Sequence, residues 1–282
     1  MFVRGESVGS SAIIISASSD IGSAIGRSWI ERGWNLFGTY RTESQAVEEL
    51  SSWGMKMGRC DLSNQRSILD ACVNLRALCP QWDALVLCPG TQDPVSAFQE
   101  CNFDEWEESL KINFTGPMRI VRELLPTRRV DSKLGSCVLF FAGGGTNNAT
   151  VNYSAYTVSK IALIKMCELL DAEIPDCRFV IVGPGWVKTK IHESTLKAGV
   201  RAGPSYQKTL DKLASDECTS FERIVACCDW LVDSPREVVS GRNFSVVYDP
   251  WGNEILAKKL TEEPHMYKLR RFGNDWVLKN GS

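Results

Sequence analysis

Histidine is almost missing from this chain: two of 282 residues, His192 and His265. No C-x-x-C pair occurs among the 11 cysteines. The usual zinc and dithiol spacings are therefore not available, and no metal site is expected. An excess of charge is missing too. Lys and Arg number 32 against 34 Asp and Glu, a formal net charge of −2, which gives no footprint for nucleic acid or an anionic membrane surface. No apolar run approaches the roughly 18 residues of a membrane span; the longest are short, such as residues 137–142. The first nine residues carry Arg4 and Glu6 without an apolar h-region, so no secretory signal is read there. An odd number of scattered cysteines without an export signal reads as small buried side chains in a reducing, cytoplasmic setting.

What is present is an ordinary globular composition, 44% hydrophobic and 23% charged, in a length that suits one large α/β domain. Short apolar runs alternate with segments of helical period. Residues 11–16, 34–40, 55–61, 84–88, 137–142, 178–182 and 243–247 read as strands. Residues 21–33, 64–78, 103–125, 155–174 and 221–232 read as helices. Strands that are apolar on both faces and separated by helices imply a parallel sheet covered on both sides. The expected fold is α/β, doubly wound, a Rossmann-like three-layer α/β/α arrangement whose ligand lies at the carboxyl ends of the strands. Residues 1–250 are expected to form this single domain, and residues 251–282 a C-terminal extension that packs on the domain or on a partner subunit.

The first strand runs into Ser16-Ala17-Ser18-Ser19-Asp20-Ile21-Gly22. Small residues let the backbone approach a pyrophosphate, and the helix start offers free N–H groups at the positive dipole end. Asp20 either puts a carboxylate near the phosphates or caps the helix. The second strand ends at Thr39-Tyr40-Arg41. An acid at that place would hold a ribose diol, but Tyr40 occupies it. The guanidinium of Arg41 suits a 2′-phosphate, so NADP(H) is favoured over NAD; the plainer reading is a solvent-facing arginine in a polar turn. Tyr156 and Lys160 lie four apart on one helix face. A phenol ordinarily titrates near 10, and the neighbouring ammonium together with an oxidised nicotinamide is expected to lower it.

In order and position these pieces resemble the short-chain dehydrogenase/reductase (SDR) family. Residues 16–22 look like its G-A-S-S-G-I-G loop, with Ser16 and Asp20 at its first and second glycines and Gly22 at its third. Asp61-Leu62 follows the third strand, and Gly90 is what remains of its N-N-A-G at Leu87-Cys88-Pro89-Gly90. Asn113 lies on the long helix, Tyr156 and Lys160 supply Y-x-x-x-K, and Pro184-Gly185-Trp186-Val187-Lys188-Thr189 follows the sixth strand. The resemblance implies an NADP(H)-dependent oxidoreductase that interconverts a carbonyl and a secondary alcohol. By it, Ser16, Ser18, Ser19, Asp20, Ile21, Gly22, Arg41, Asp61, Leu62, Gly90, Tyr156, Lys160, Pro184, Gly185, Val187 and Thr189 bind the cofactor. Asp61 would meet the adenine amino group, and Val187 and Thr189 the nicotinamide carboxamide and a phosphate. Tyr156 would exchange a proton with the reacting oxygen. Lys160 would hold the nicotinamide ribose and bias Tyr156, and Asn113 would hold a water of the proton relay. The plainer readings make Asn113 an ordinary polar helix residue and Thr189 a helix N-cap.

One family feature is missing. The serine expected about 13 residues before the tyrosine falls at Gly143, within Ala142-Gly143-Gly144-Gly145-Thr146-Asn147-Asn148. Losing one oriented donor costs about 10²–10³ in rate. Thr146, Asn147 or glycine N–H groups would have to substitute, and Gly143→Ser is expected to restore a hydroxyl beside the reacting oxygen. If nothing substitutes, the chain becomes a weakly active NADP-binding sensor or scaffold; an epimerase using transient oxidation is a third reading. Residues 190–215 fall where the family carries a substrate lid, and there His192 reads as a surface residue ahead of a substrate contact. The tail, with Asp249-Pro250-Trp251 and later Tyr267-Lys268-Leu269-Arg270-Arg271, resembles some bacterial reductases found with sugar-modifying genes and hints at a sugar-linked or other polar carbonyl. Ile120, Val121, Ile164 and Met166 extend beyond one apolar face of the two longest helices. By the resemblance these helices pair across a two-fold axis into a homodimer or homotetramer.

Overall fold

The structure is a computed structural model that describes residues 9–272. Seven strands form one sheet: β1 (Ser11–Ile15), β2 (Asn35–Tyr40), β3 (Lys56–Arg59), β4 (Ala84–Leu87), β5 (Ser136–Phe141), β6 (Cys177–Gly183) and β7 (Arg242–Ser245). Every pairing is parallel, in the order β3-β2-β1-β4-β5-β6-β7. The strand order reverses between β1 and β4, which opens a crevice at their carboxyl ends. Within β1 the alternation is clean: Ala12 and Ile14 face one helical layer, Ile13 and Ile15 the other.

The first layer holds α1 (Asp20–Glu31), α2 (Gln45–Ser52), α9 (Phe221–Asp233), α10 (Arg236–Val239) and α11 (Glu254–Glu262); the second holds α3 (Gln65–Leu78), α5 (Gly116–Leu124) and α6 (Ser154–Glu173). Side-chain caps mark several starts, as the sequence chemistry dictates. Ser19 caps α1, Asn64 caps α3 and Ser220 caps α9. The helical segment expected over 103–125 is broken. It runs as α4 (Phe103–Leu110), a π-helical turn at Lys111–Thr115, and then α5. The π turn keeps the chain helical, so the apolar period passes through it unmarked. Residues 190–215 hold α7 (Glu193–Ala198) and α8 (Pro204–Ala214), joined by short 3₁₀ turns.

Two further expectations change. Ile120, Val121 and Ile164 are not surplus apolar surface: they are 0%, 2% and 4% exposed, inside the second layer, and Met166 packs against them. The apolar residues that these helices turn outward are Phe103, Val158 and Leu169. The described part of the C-terminal segment lies on its own chain. The guanidinium of Arg242 donates to the main-chain carbonyls of Leu260, Glu263 and Met266. The backbone N–H of Asn243 donates to Tyr267 O (2.8 Å), and Arg270 pairs with Glu168 of α6 at 2.7 Å. The remainder of that segment, 273–282, and the N-terminal stretch 1–8 lie outside the described residues. All 11 cysteines are free, and eight are buried; Cys88, Cys101 and Cys218 are half-buried. Among the described residues no helix is long and apolar enough to cross a membrane.

Candidate active site

The loop after β1 is built by its own backbone. Ser16 adopts φ 58°, the left-handed conformation for which a glycine is the usual choice. Ser19 N–H donates to Ser16 O (3.0 Å), and Ser16 N–H donates to Thr39 Oγ1 (3.1 Å). A Cβ on Gly22 would lie 2.7 Å from Ser16 O and 2.9 Å from Ser19 Oγ. Glycine is therefore required where α1 presses on the turn. The cap is Ser19, whose Oγ accepts from Gly22 N–H (3.2 Å), and not Asp20. Asp20 reaches across the cleft instead, where its Oδ2 accepts from the backbone N–H of Lys190 (2.8 Å).

At the end of β2, Arg41 is exposed and lines the same cleft as the α1 turn. Two neighbours escaped the sequence reading. Arg59, paired in register with Tyr40, donates from Nε to Arg41 O (3.2 Å). Glu43 accepts from the Tyr40 hydroxyl. Only the three-dimensional register brings Arg59 there; a charged residue two places before Asp61 carries no signal of its own. Asp61 is locked by Ser63, whose N–H and Oγ donate to Oδ1 at 2.9 and 2.8 Å. Burial works against its ionised form, but the Ser63 hydrogen bonds and the charges of Arg41 and Arg59 prevail and hold the carboxyl below its ordinary range.

Further along, β4, β5 and α6 meet. Lys160 is 4% exposed, and its ammonium donates to Pro89 O (3.2 Å) and Phe141 O (3.1 Å). Burial pulls it down to about 8, partly offset by the Cys88 thiol. Its Nζ lies 5.8 Å from the centre of the Tyr156 ring. Burial pushes the Tyr156 phenol up to about 12, and the ammonium alone does not offset it. The reason is local: two main-chain carbonyls hold the ammonium, while the phenol sits in the room left by Gly143. A Cβ on Gly143 would lie 2.5 Å from Tyr156 Oη and 2.7 Å from Cζ and Cε1. A serine there therefore cannot simply add a hydroxyl; it must first displace the tyrosine. A Cβ on Gly144 would meet nothing within 4 Å, so the loop opens beside the phenol.

One cleft of about 1910 Å³ is lined by Ser16, Ser18, Ser19, Asp20, Ile21, Arg41, Asp61, Leu62 and Gly90, and by Tyr156, Lys160, Pro184, Gly185, Val187 and Thr189. Gly22 lies beneath it. Asn113 is fully buried behind it. Its Oδ1 accepts from Thr91 N–H (2.8 Å) and its Nδ2 donates to Thr91 O (2.9 Å) and Ser109 Oγ (3.2 Å). The side chain therefore fixes the loop after β4. Thr189 makes no side-chain cap to the turn that follows it. His192 is not a surface residue: it is 9% exposed, stacked on Trp186 at 4.3 Å and bonded to Val187 O at 2.9 Å.

The cleft fits a dinucleotide. A turn that a Cβ would fill leads to unpaired helix N–H groups, a guanidinium follows β2, and a locked carboxylate follows β3. The match to known proteins is extensive. A family model described as short chain dehydrogenase matches residues 10–198. The chain is 23% identical over 271 residues to the short chain dehydrogenase pgmD of Aspergillus terreus, covering 89% of this chain and 82% of that one. It is 27% identical over 248 residues to a fatty acyl-CoA reductase of Acinetobacter baylyi, covering 85% and 79%. A short-chain dehydrogenase/reductase of Saccharomyces cerevisiae superposes with a TM-score of 0.75 at 20% identity, covering 89% and 99%. The actinorhodin polyketide ketoreductase, solved as a point variant with NADPH, superposes with a TM-score of 0.73 at 19% identity, covering 86% and 97%.

Proposed function

Because this chain belongs to the short chain dehydrogenase family and is an oxidoreductase of carbonyls and alcohols, we propose that it is an NADP(H)-dependent reductase of a polar ketone. The observation that carries the reading is the convergence of Tyr156, Lys160 and Arg41 on one cleft. NADPH, when bound, would supply the hydride for the carbonyl carbon. The chain's own residues do the rest. The α1 turn and its N–H groups would hold the pyrophosphate, Asp61 the adenine, and Arg41, with Arg59 bonded to its carbonyl, the 2′-phosphate. Lys160 holds the nicotinamide ribose from a position fixed by Pro89 O and Phe141 O. Tyr156 gives its Oη proton to the carbonyl oxygen as it becomes an alcohol. The phenol carries its proton at neutral pH and can donate it in the reducing direction; the rise caused by burial makes it the weaker acid. Asn113 acts by holding Thr91. The outward apolar Phe103, Val158 and Leu169 support a homo-oligomer.

Gly143 favours a second reading, a cofactor-binding protein of low turnover. The test is NADPH oxidation over a panel of ketones, with Tyr156→Phe as control. The parent protein should turn over, and the variant should lose about 10²–10⁴-fold in single-turnover rate while binding NADPH as before. Tight NADPH binding by a parent that reduces no ketone would establish the second reading.

A further inference from the structure

Beyond Tyr156, the substrate side of the cleft is bounded by α7 and α8 and by the loop after β4. Its buried polar groups are mostly spent on one another. Thr195 donates from Oγ1 to Gln92 Oε1 (3.0 Å), so the 2.7 Å contact between Tyr153 Oη and Thr195 Oγ1 has the tyrosine as donor. Tyr153 and Thr195 are 3% and 1% exposed, and this chain of bonds ties α7 to the start of α6.

His192 is the exception. Its Nε2 is bonded to Val187 O. A carbonyl only accepts, so Nε2 carries the proton and Nδ1 keeps its lone pair. The ring lies face to face on Trp186 with a 14° tilt, and a flip within that plane would forfeit the Nε2 bond to Val187 O. Nδ1 makes no hydrogen bond to any described residue and is not among the sealed, unpartnered atoms. His192 itself lines the cleft. Burial disfavours the imidazolium, in keeping with a neutral ring. We propose that His192 Nδ1 is a specificity-determining acceptor for a hydroxyl carried by the substrate close to its reacting carbonyl, so that hydroxy ketones are preferred to their deoxy counterparts. This rests on the reductase reading above and names the substrate class for that same site.

Two ketones of equal size separate the outcomes: 4-hydroxy-2-butanone and 2-pentanone, which exchange a hydroxyl for a methyl group. With two histidines in the chain, nitrogen-15 histidine labelling gives two imidazoles, and His192→Gln identifies which is which. In the NADP⁺-loaded protein near neutral pH, His192 should show a protonated Nε2 and a bare Nδ1. The hydroxy ketone should shift the Nδ1 resonance and 2-pentanone should not. With NADPH, the parent should favour the hydroxy ketone by about tenfold in kcat/KM, the worth of one neutral hydrogen bond. His192→Phe, which keeps an aromatic ring against Trp186 but gives up the Nε2 bond to Val187 O, should erase that ratio, and the ratio rather than either rate is the readout. A proton on Nδ1, equal shifts with both ketones, a ratio unchanged in His192→Phe, or equal losses on both ketones would overturn the proposal. If neither ketone is reduced but the hydroxy ketone alone moves Nδ1, the recognition stands and the reductase reading falls.

Discussion

Two loops at the carboxyl edge of the sheet depart from the SDR pattern in opposite directions. Against the pattern that the resemblance implies, the loop after β1 carries Ser16 and Asp20 at glycine places and the loop after β5 carries Gly143 at the serine place. After β1, Ser16 takes the left-handed geometry itself, at a cost of about 1–2 kcal/mol. Its turn is still closed by Ser19 N–H and tethered to Thr39. The backbone cost is absorbed locally, and on the proposed reading this loop acts through its main-chain N–H groups. After β5, Gly143 needs no left-handed backbone, and its lack of a side chain bears on a distant residue. The Tyr156 ring occupies the space that a Cβ at Gly143 would need, 2.5 Å from Oη, and burial holds its phenol up. A loop whose function lies in its backbone tolerates a change of side chain; a loop whose function lies in a side chain does not.

The sharpest way to break this comparison is at Gly143. Both Gly143→Ala and Gly143→Ser should destabilise the fold by about 1–3 kcal/mol, because the added Cβ overlaps the Tyr156 ring, and thermal unfolding would read this. The two should then part in turnover, with the serine variant ahead of the alanine variant by about 10²-fold through its restored donor. Equal rates would mean that the loop's N–H groups already do that work. Next in size is Arg41→Ala. It should weaken NADPH binding by about 1.5–3 kcal/mol, the loss of a charged hydrogen bond, and leave NADH binding close to the parent. Calorimetry with both cofactors decides it, and equal losses would return Arg41 to the role of a solvent-facing side chain.

A smaller effect tests the buried lysine. Lys160 is held near 8 in the folded protein against an ordinary 10.5. Between those values the unfolded chain binds a proton that the folded one does not, so this group's contribution to stability rises with pH across about 8 to 10.5. Below 8 both states carry the charge and the burial penalty is complete. The stability of the parent relative to Lys160→Met should therefore climb from pH 8 to 10. Cys88 and Tyr156 both titrate near 12 in the folded protein and are common to parent and variant. A flat difference would mean that the ammonium is better solvated than its two carbonyl partners imply.

The sheet was readable because apolar runs such as Ala12–Ile15 and Cys137–Phe141 have one explanation, burial on both faces. All seven strands fall within a residue or two of their expected limits, and the cleft collects nearly all the residues that the motifs single out. What escaped was set by contacts distant in sequence or silent in period. Helix α2 buries only Val47 and Leu50, too few to stand out as a pattern. The π turn at Lys111–Thr115 leaves helical spacing intact. Asp20 meets Lys190 across 170 positions. His192 looks like any polar loop residue until Trp186 is seen lying flat against it. Gly143 was visible as a position without a hydroxyl, but not as a space that Tyr156 fills.

The free thiols are also a set of clocks. Cys60 and Cys72 lie beneath the second helical layer, Cys227 and Cys228 beneath the first, and Cys137 and Cys177 in the sheet between. Burial pushes Cys60, Cys72 and Cys227 up to about 12, so almost no thiolate is present until a segment opens. The rate at which each is alkylated then reports how often its own layer parts from the sheet, and a single labelling time course would resolve whether the molecule comes apart as a whole or peels away one face at a time.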